Sequence, residues 1–78
     1  MNDIFCDILR KHLNSDVAFN EESLLVADLG LSSFSMFALI VELEDAFDKK
    51  TDFDQLIRVK TVGELYGLYV EMGEKSNG

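Results

Sequence analysis

One stretch of the chain holds residues with chemistry to offer, Asp28-Leu29-Gly30-Leu31-Ser32-Ser33-Phe34. Gly30 permits a turn that other residues resist. Ser32 stands where a helix N-cap would stand, with a hydroxyl able to accept from an orphan N–H of the helix that follows. Ser33 then falls in the first turn, near solvent. A phosphate ester on its hydroxyl would lie beside free backbone N–H groups and the positive end of the helix dipole. Taken locally, the pattern leaves two roles open, because serines before helices are common caps and most carry nothing.

The helix that begins there adds a second signal. With about 100° per residue, Met36, Ile40, Leu43 and Phe47 share one face, which predicts the core face. Phe34, Val41 and Asp45 point nearly opposite, with Phe37 and Asp48 at one margin and Ala38 at the other. A surface helix normally sets polar residues there. This one carries a second apolar stripe, edged by Glu44, Asp45 and Asp48 and starting beside Ser33. Apolar patches rimmed by charge mark partner sites. Packing of Phe34 and Phe37 beneath a loop is the competing reading.

Four helical segments are expected to position these residues. Residues 2–14 carry Ile4, Phe5, Ile8 and Leu9 at helical spacing, and residues 33–48 form the strongest helix. Residues 53–57 suit one short turn. Residues 61–73 open with Thr61-Val-Gly-Glu64, a capping-box pattern, followed by the stripe Val62, Leu65, Tyr66, Tyr69 and Met72. Between the first two helices lies a long loop, residues 15–32, which Leu24, Leu25 and Leu29 can pin to the core. No period-two strand pattern is convincing. The expected fold class is all-α: a small bundle of three main helices and one short one, a single domain over 1–78, with 73–78 a frayed tail.

Bulk properties narrow the function. The 78 residues allow one domain and no deep cleft between lobes. A net charge of -8, from 15 acidic and 7 basic residues, repels phosphate backbones and anionic lipid, so nucleic acid and membranes are poor partners and basic protein surfaces are good ones. Disorder is excluded, since 47% of the chain is apolar and six Phe can build a core. One cysteine, Cys6, allows no internal disulfide. With no leader pattern and no apolar run of membrane-spanning length, the expectation is a soluble, cytoplasmic monomer.

Several residues invite stronger readings and do not support them. His12 has no second histidine near it and reads as a capped or half-buried side chain rather than a ligand or base. Cys6 has no base nearby in sequence and reads as a small packed side chain. Asp48, Asp52 and Asp54 resemble a calcium loop, but the required glycine position holds Phe53 and the final glutamate position holds Val59. Gly63 and Gly67 are spaced for a close helix contact, in a segment too polar for a membrane.

The ordered combination resembles the acyl and peptidyl carrier protein family. Asp28-Leu29-Gly30 matches the family's attachment motif, and Ser33 falls on its modified serine. Leu43, Glu44, Asp45 and Phe47 match the typical end of the second helix, and Val59, Thr61 and Val62 the stretch before the last. Ser32 replaces the usual Asp, Phe34 the usual Leu, and Ser35 and Ala38 stand where fatty-acid carriers usually have acids.

The resemblance implies a 4'-phosphopantetheine arm, placed on Ser33 from coenzyme A by a magnesium-dependent transferase. The arm's thiol would hold acyl or aminoacyl cargo as a thioester, in fatty-acid, polyketide or related biosynthesis. The carrier would catalyse nothing. Ile40, Leu43 and Phe47 would part to shelter an apolar chain, and Phe34, Phe37, Val41, Glu44, Asp45 and Asp48 would dock the transferase and acyl-handling enzymes with basic surfaces. A free-standing carrier is expected. An unmodified helical adaptor that uses the same stripe is the rival from another class.

Overall fold

The computed structural model describes residues 1–13 and 17–70. Four helices follow in order: α1 (Asp3–Lys11), α2 (Ser33–Phe47), α3 (Phe53–Arg58) and α4 (Val62–Tyr69). The described residues contain no strand, only one isolated antiparallel bridge between Leu24 and Thr61. The all-α architecture of three main helices and a short one is therefore the one observed.

Local chemistry sets the helix starts. Asn2 Oδ1 accepts from the N–H of Ile4 at 2.7 Å and of Phe5 at 3.2 Å, which fixes the start of α1. α1 ends one turn earlier than the expected 2–14, with His12 as its C-cap. The anticipated capping box forms at α4. Thr61 Oγ1 accepts from Glu64 N–H at 3.1 Å, and Glu64 Oε1 accepts from Thr61 N–H at 3.1 Å and Lys60 N–H at 2.7 Å. These donors hold the Glu64 carboxyl below its usual range. α4 stops at Tyr69, where Val70 turns extended. The rest of the expected 61–73 helix and the 73–78 tail lie outside the described residues.

The core is shared by α1 (Phe5, Ile8, Leu9), the long loop (Leu25, Leu29, Leu31), α2 (Leu39, Ile40, Leu43) and α4 (Val62, Leu65, Tyr66, Tyr69). The expected face of α2 needs one correction. Ile40 and Leu43 are buried as expected, but Met36 and Phe47 are half-buried, and Leu39, absent from the expected stripe, is fully buried. Met36 and Phe47 lie near the two ends of α2. Leu39 lies only about 40° around the helix from Leu43, inside the roughly 100° arc that a packed helix buries. α3 buries no residue completely and packs through half-buried Leu56.

The long loop is a built element. Residues 24–29 make a single helical turn that ends at Gly30, whose φ of 72° is the left-handed region that favours glycine. Gly30 N–H donates to Val26 O at 3.0 Å, the 5→1 bond of the αL motif, Leu31 N–H donates to Leu25 O at 3.1 Å, and both leucines are buried. Asp28 Oδ2 reaches back to accept from Leu24 N–H at 2.8 Å. The turn is laced to the α3–α4 connection by Leu25 N–H to Lys60 O (2.9 Å), Val62 N–H to Ser23 O (2.9 Å) and Gly63 N–H to Glu21 O (2.8 Å). Gly63 serves this loop contact rather than a helix contact. A Cβ there would meet Glu21 O at 3.0 Å, whereas one at Gly67 would meet nothing within 4 Å.

Candidate functional site

The loop turn delivers the chain to Ser32 in an extended conformation. Ser32 Oγ accepts from Ser35 N–H at 3.1 Å and caps α2. Ser33 is therefore the first residue of the helix, and it is exposed. The first turn of α2 contains no acidic residue. The leading N–H groups of a helix have no intrahelical acceptor, so this end favours an anion on the Ser33 side chain.

Ser33 also stands at the edge of an apolar cleft of about 460 Å³ between α2 and α3. Met36, Phe37 and Ile40 form one side, Phe53, Leu56 and Ile57 the other, and Val26 and Val59 complete the lining. No lining residue is charged. Of the residues expected to shelter an apolar chain, only Ile40 belongs to this cleft. Leu43 is fully buried in the core, and Phe47 is the last residue of α2. Val26 and the α3 pair Phe53 and Ile57 were missed. Phe53, Leu56 and Ile57 sit at i, i+3 and i+4, a helical apolar face legible in the sequence. Its partner across the cleft was not.

Along the outside of α2, Phe34 is 82% exposed, Phe37 69% and Val41 49%. The loop does not cover the phenylalanines. Asp45 and Asp48 are exposed beyond Val41, Asp48 as the left-handed C-cap of the helix. Glu44 is engaged differently. Its Oε2 accepts from Thr51 N–H at 2.9 Å and from Thr51 Oγ1–H at 2.8 Å, and these donors lower its pKa. Glu42, two residues before, pairs with Lys11 and lies 2.9 Å from His12 Nε2, which depresses its pKa and ties the end of α1 to α2. His12 is thus a half-buried cap with a carboxylate neighbour, and Cys6 is half-buried against the core. Among the described residues no group of His, Cys, Asp and Glu converges to hold a metal ion, and no helix is long and apolar enough to cross a membrane.

The described residues thus form a small helical bundle with an exposed serine opening a helix beside an apolar cleft. Residues 3–68 match the family model described as a phosphopantetheine attachment site. A Caulobacter vibrioides protein named "Probable acyl carrier protein" is 38% identical over 55 residues, 70% of this chain, which spans 64% of that relative's length. A solved structure of a candidate acyl carrier protein from Mycobacterium tuberculosis superposes with a TM-score of 0.79 at 35% identity, covering 85% of this chain and 89% of that one. The chain belongs to the acyl carrier protein family of phosphopantetheine-binding proteins. The group that goes with the family is covalently attached 4'-phosphopantetheine. The residues present fit it: an exposed hydroxyl, a helix start without carboxylates for the phosphate, and an uncharged cleft beside both.

Proposed function

We propose that this chain is a non-catalytic carrier whose Ser33 bears the phosphopantetheine arm and whose cargo is an acyl group, in fatty-acid, polyketide or related biosynthesis. The observation that carries the reading is the position of Ser33, exposed as the first residue of α2 and at the edge of the apolar cleft. The arm, when attached, supplies a terminal thiol that holds cargo as a thioester.

The chain's own residues do the rest. Ser32 caps the helix and leaves the neighbouring hydroxyl outward. The leading N–H groups of α2 offset the phosphate charge. Met36, Ile40, Phe53 and Ile57 offer an apolar cargo shelter from water, which favours acyl over aminoacyl groups because nothing charged lines the cleft to receive an ammonium. Ser33 has no base at hand in the sole histidine: His12 is bound to Glu42, nine residues and roughly 13 Å along the helix from Ser33. Activation of the hydroxyl thus falls to a separate phosphopantetheinyl transferase. Partners dock on the outer stripe of α2 that begins with Phe34. The single free thiol, Cys6, suits a reducing cytoplasm.

The test is intact mass after incubation with coenzyme A and a broad-specificity transferase. Wild type gains the mass of one arm. Ser33→Ala gains none, and Ser32→Ala still gains it. Loss of the gain in a folded Ser32→Ala, with Ser33→Ala still modified, reassigns the site.

A further inference from the structure

Met36 stands in the wall between two apolar spaces. On one side is the cleft between α2 and α3, with Ser33 at its edge. On the other is a second hollow of about 300 Å³, lined by Leu24, Leu25 and Ala27 of the loop turn and by Lys60 of the α3–α4 connection. Val26, Met36 and Val59 line both spaces. Ser33 and Met36 stand at i and i+3 on α2, so they are neighbours on the helix surface. A chain that runs from Ser33 into the cleft passes Met36.

The three shared residues differ in what they can do. Val26 and Val59 are β-branched and stiff at χ1. The backbone on either side of the hollow is locked: Leu25 N–H donates to Lys60 O at 2.9 Å, and Leu24 bridges Thr61. The main chain of Met36 is fixed as well, its N–H donating to Ser32 O at 2.8 Å, but its side chain is half-buried, unbranched and flexible. Met36 is the part of the wall that can move while the fold stays still.

We propose, on the reading that Ser33 carries an acyl group, that Met36 sets the length of cargo this carrier shelters. A short chain stays in the α2–α3 cleft. A longer, unbranched aliphatic chain turns the Met36 side chain aside and runs on into the hollow, where Leu24 and Ala27 receive its end. Each methylene buried there is worth about fourfold in equilibrium, and pinning a methionine side chain costs up to about thirtyfold, so the swing becomes favourable once about three methylenes lie beyond it.

The experiment loads the full chain from acyl-coenzyme A with a broad-specificity transferase, in a saturated series from butyryl to myristoyl. Intact mass and peptide mapping report which residue took the arm. NMR then records which side chains lie beside the terminal methyl of the cargo. Of the two spaces, Phe53 and Ile57 line only the cleft, and Leu24 and Ala27 only the hollow. In wild type, short chains contact Phe53 and Ile57, and long ones Leu24 and Ala27. Met36→Ala opens the passage, and contacts at Ala27 begin at chains about three methylenes shorter. Met36→Phe fills the passage, and Ala27 is reached at no length. The unfolding constant in urea, each variant compared with its own unloaded form, falls about fourfold per methylene covered, and this fall ends at shorter chains in Met36→Phe than in wild type. Comparison within each variant removes any cost of the substitution to folding itself.

The proposal falls if the terminal methyl of long chains stays beside Phe53 and Ile57 or contacts neither space. It falls equally if Met36→Ala and Met36→Phe move the crossover in the same direction or leave it where it is. An arm mapped to Ser32, with the crossover still governed by Met36, overturns the Ser33 assignment alone. A wild type that takes no arm overturns both.

Discussion

Glu44 and Thr51 are joined twice: one carboxylate oxygen of Glu44 accepts from both the backbone N–H and the hydroxyl of Thr51, at 2.9 and 2.8 Å. With the Thr51 proton committed to Glu44, the Thr51 oxygen accepts from Tyr69 O–H at 2.9 Å. Tyr69 is 2% exposed, and burial raises its pKa. The chain of bonds ties the end of α2 and the entry to α3 onto α4.

Thr51→Val keeps the shape and backbone N–H of residue 51 but removes the hydroxyl, leaving the Tyr69 hydroxyl buried without this partner. The expected loss is about 1–3 kcal/mol in urea unfolding. Thr51→Ser restores most of it. A Thr51→Val protein as stable as wild type would mean the network adds nothing to folding.

The lowered pKa of Glu44 predicts a pH signature. Bonding to Thr51 depresses the folded value below the ordinary 4.5, so the stabilisation is present above that value and is lost as pH falls through the folded pKa. The stability difference between wild type and Glu44→Gln should be constant from neutral pH down to about 5 and then shrink with acid. Thermal melts of both proteins across that range check it. A difference that grows on acidification contradicts the assignment.

The two glycines of α4 should respond with opposite sign. Gly67→Ala enters open space on a helix and should stabilise by about 0.5–1 kcal/mol. Gly63→Ala sets a methyl 3.0 Å from Glu21 O, where the loop is hydrogen-bonded, and should destabilise by about 1–2 kcal/mol. Equal stabilisation by both would show that the loop yields freely at Glu21.

Ser32 and Ser33 should separate in stability as well as in chemistry. Ser32→Ala removes the cap on Ser35 N–H and should cost about 1 kcal/mol, while Ser32→Asp, an equally good cap, should leave denaturation midpoints nearly unchanged. Ser33→Ala, at an exposed position, should stay within about 0.5 kcal/mol of wild type. Midpoints for the three variants, taken in one urea series, decide it.

Much of this molecule was legible in one dimension because the signals are local. Thr61 and Glu64 are three residues apart and cap α4 by their own spacing. Ser32 finds Ser35 in the same way, and Gly30 closes a turn made by its immediate neighbours. The outward stripe of Phe34 and Val41 follows from helical period alone. The order of these pieces was enough to place the chain beside a carrier family.

What the tertiary structure decided involves residues far apart in the chain. The cleft exists because α3 brings Phe53 and Ile57 opposite Met36 and Ile40, and no periodicity within either helix announces that meeting. Leu39 is buried, and Met36 half-buried, because packing covers the middle of α2 more completely than its ends. Glu44 reads in sequence as one more surface acid. Only the return of the chain at Thr51 shows that its charge is held by the fold, because a carboxylate takes the donors nearest in space, whatever their distance along the chain.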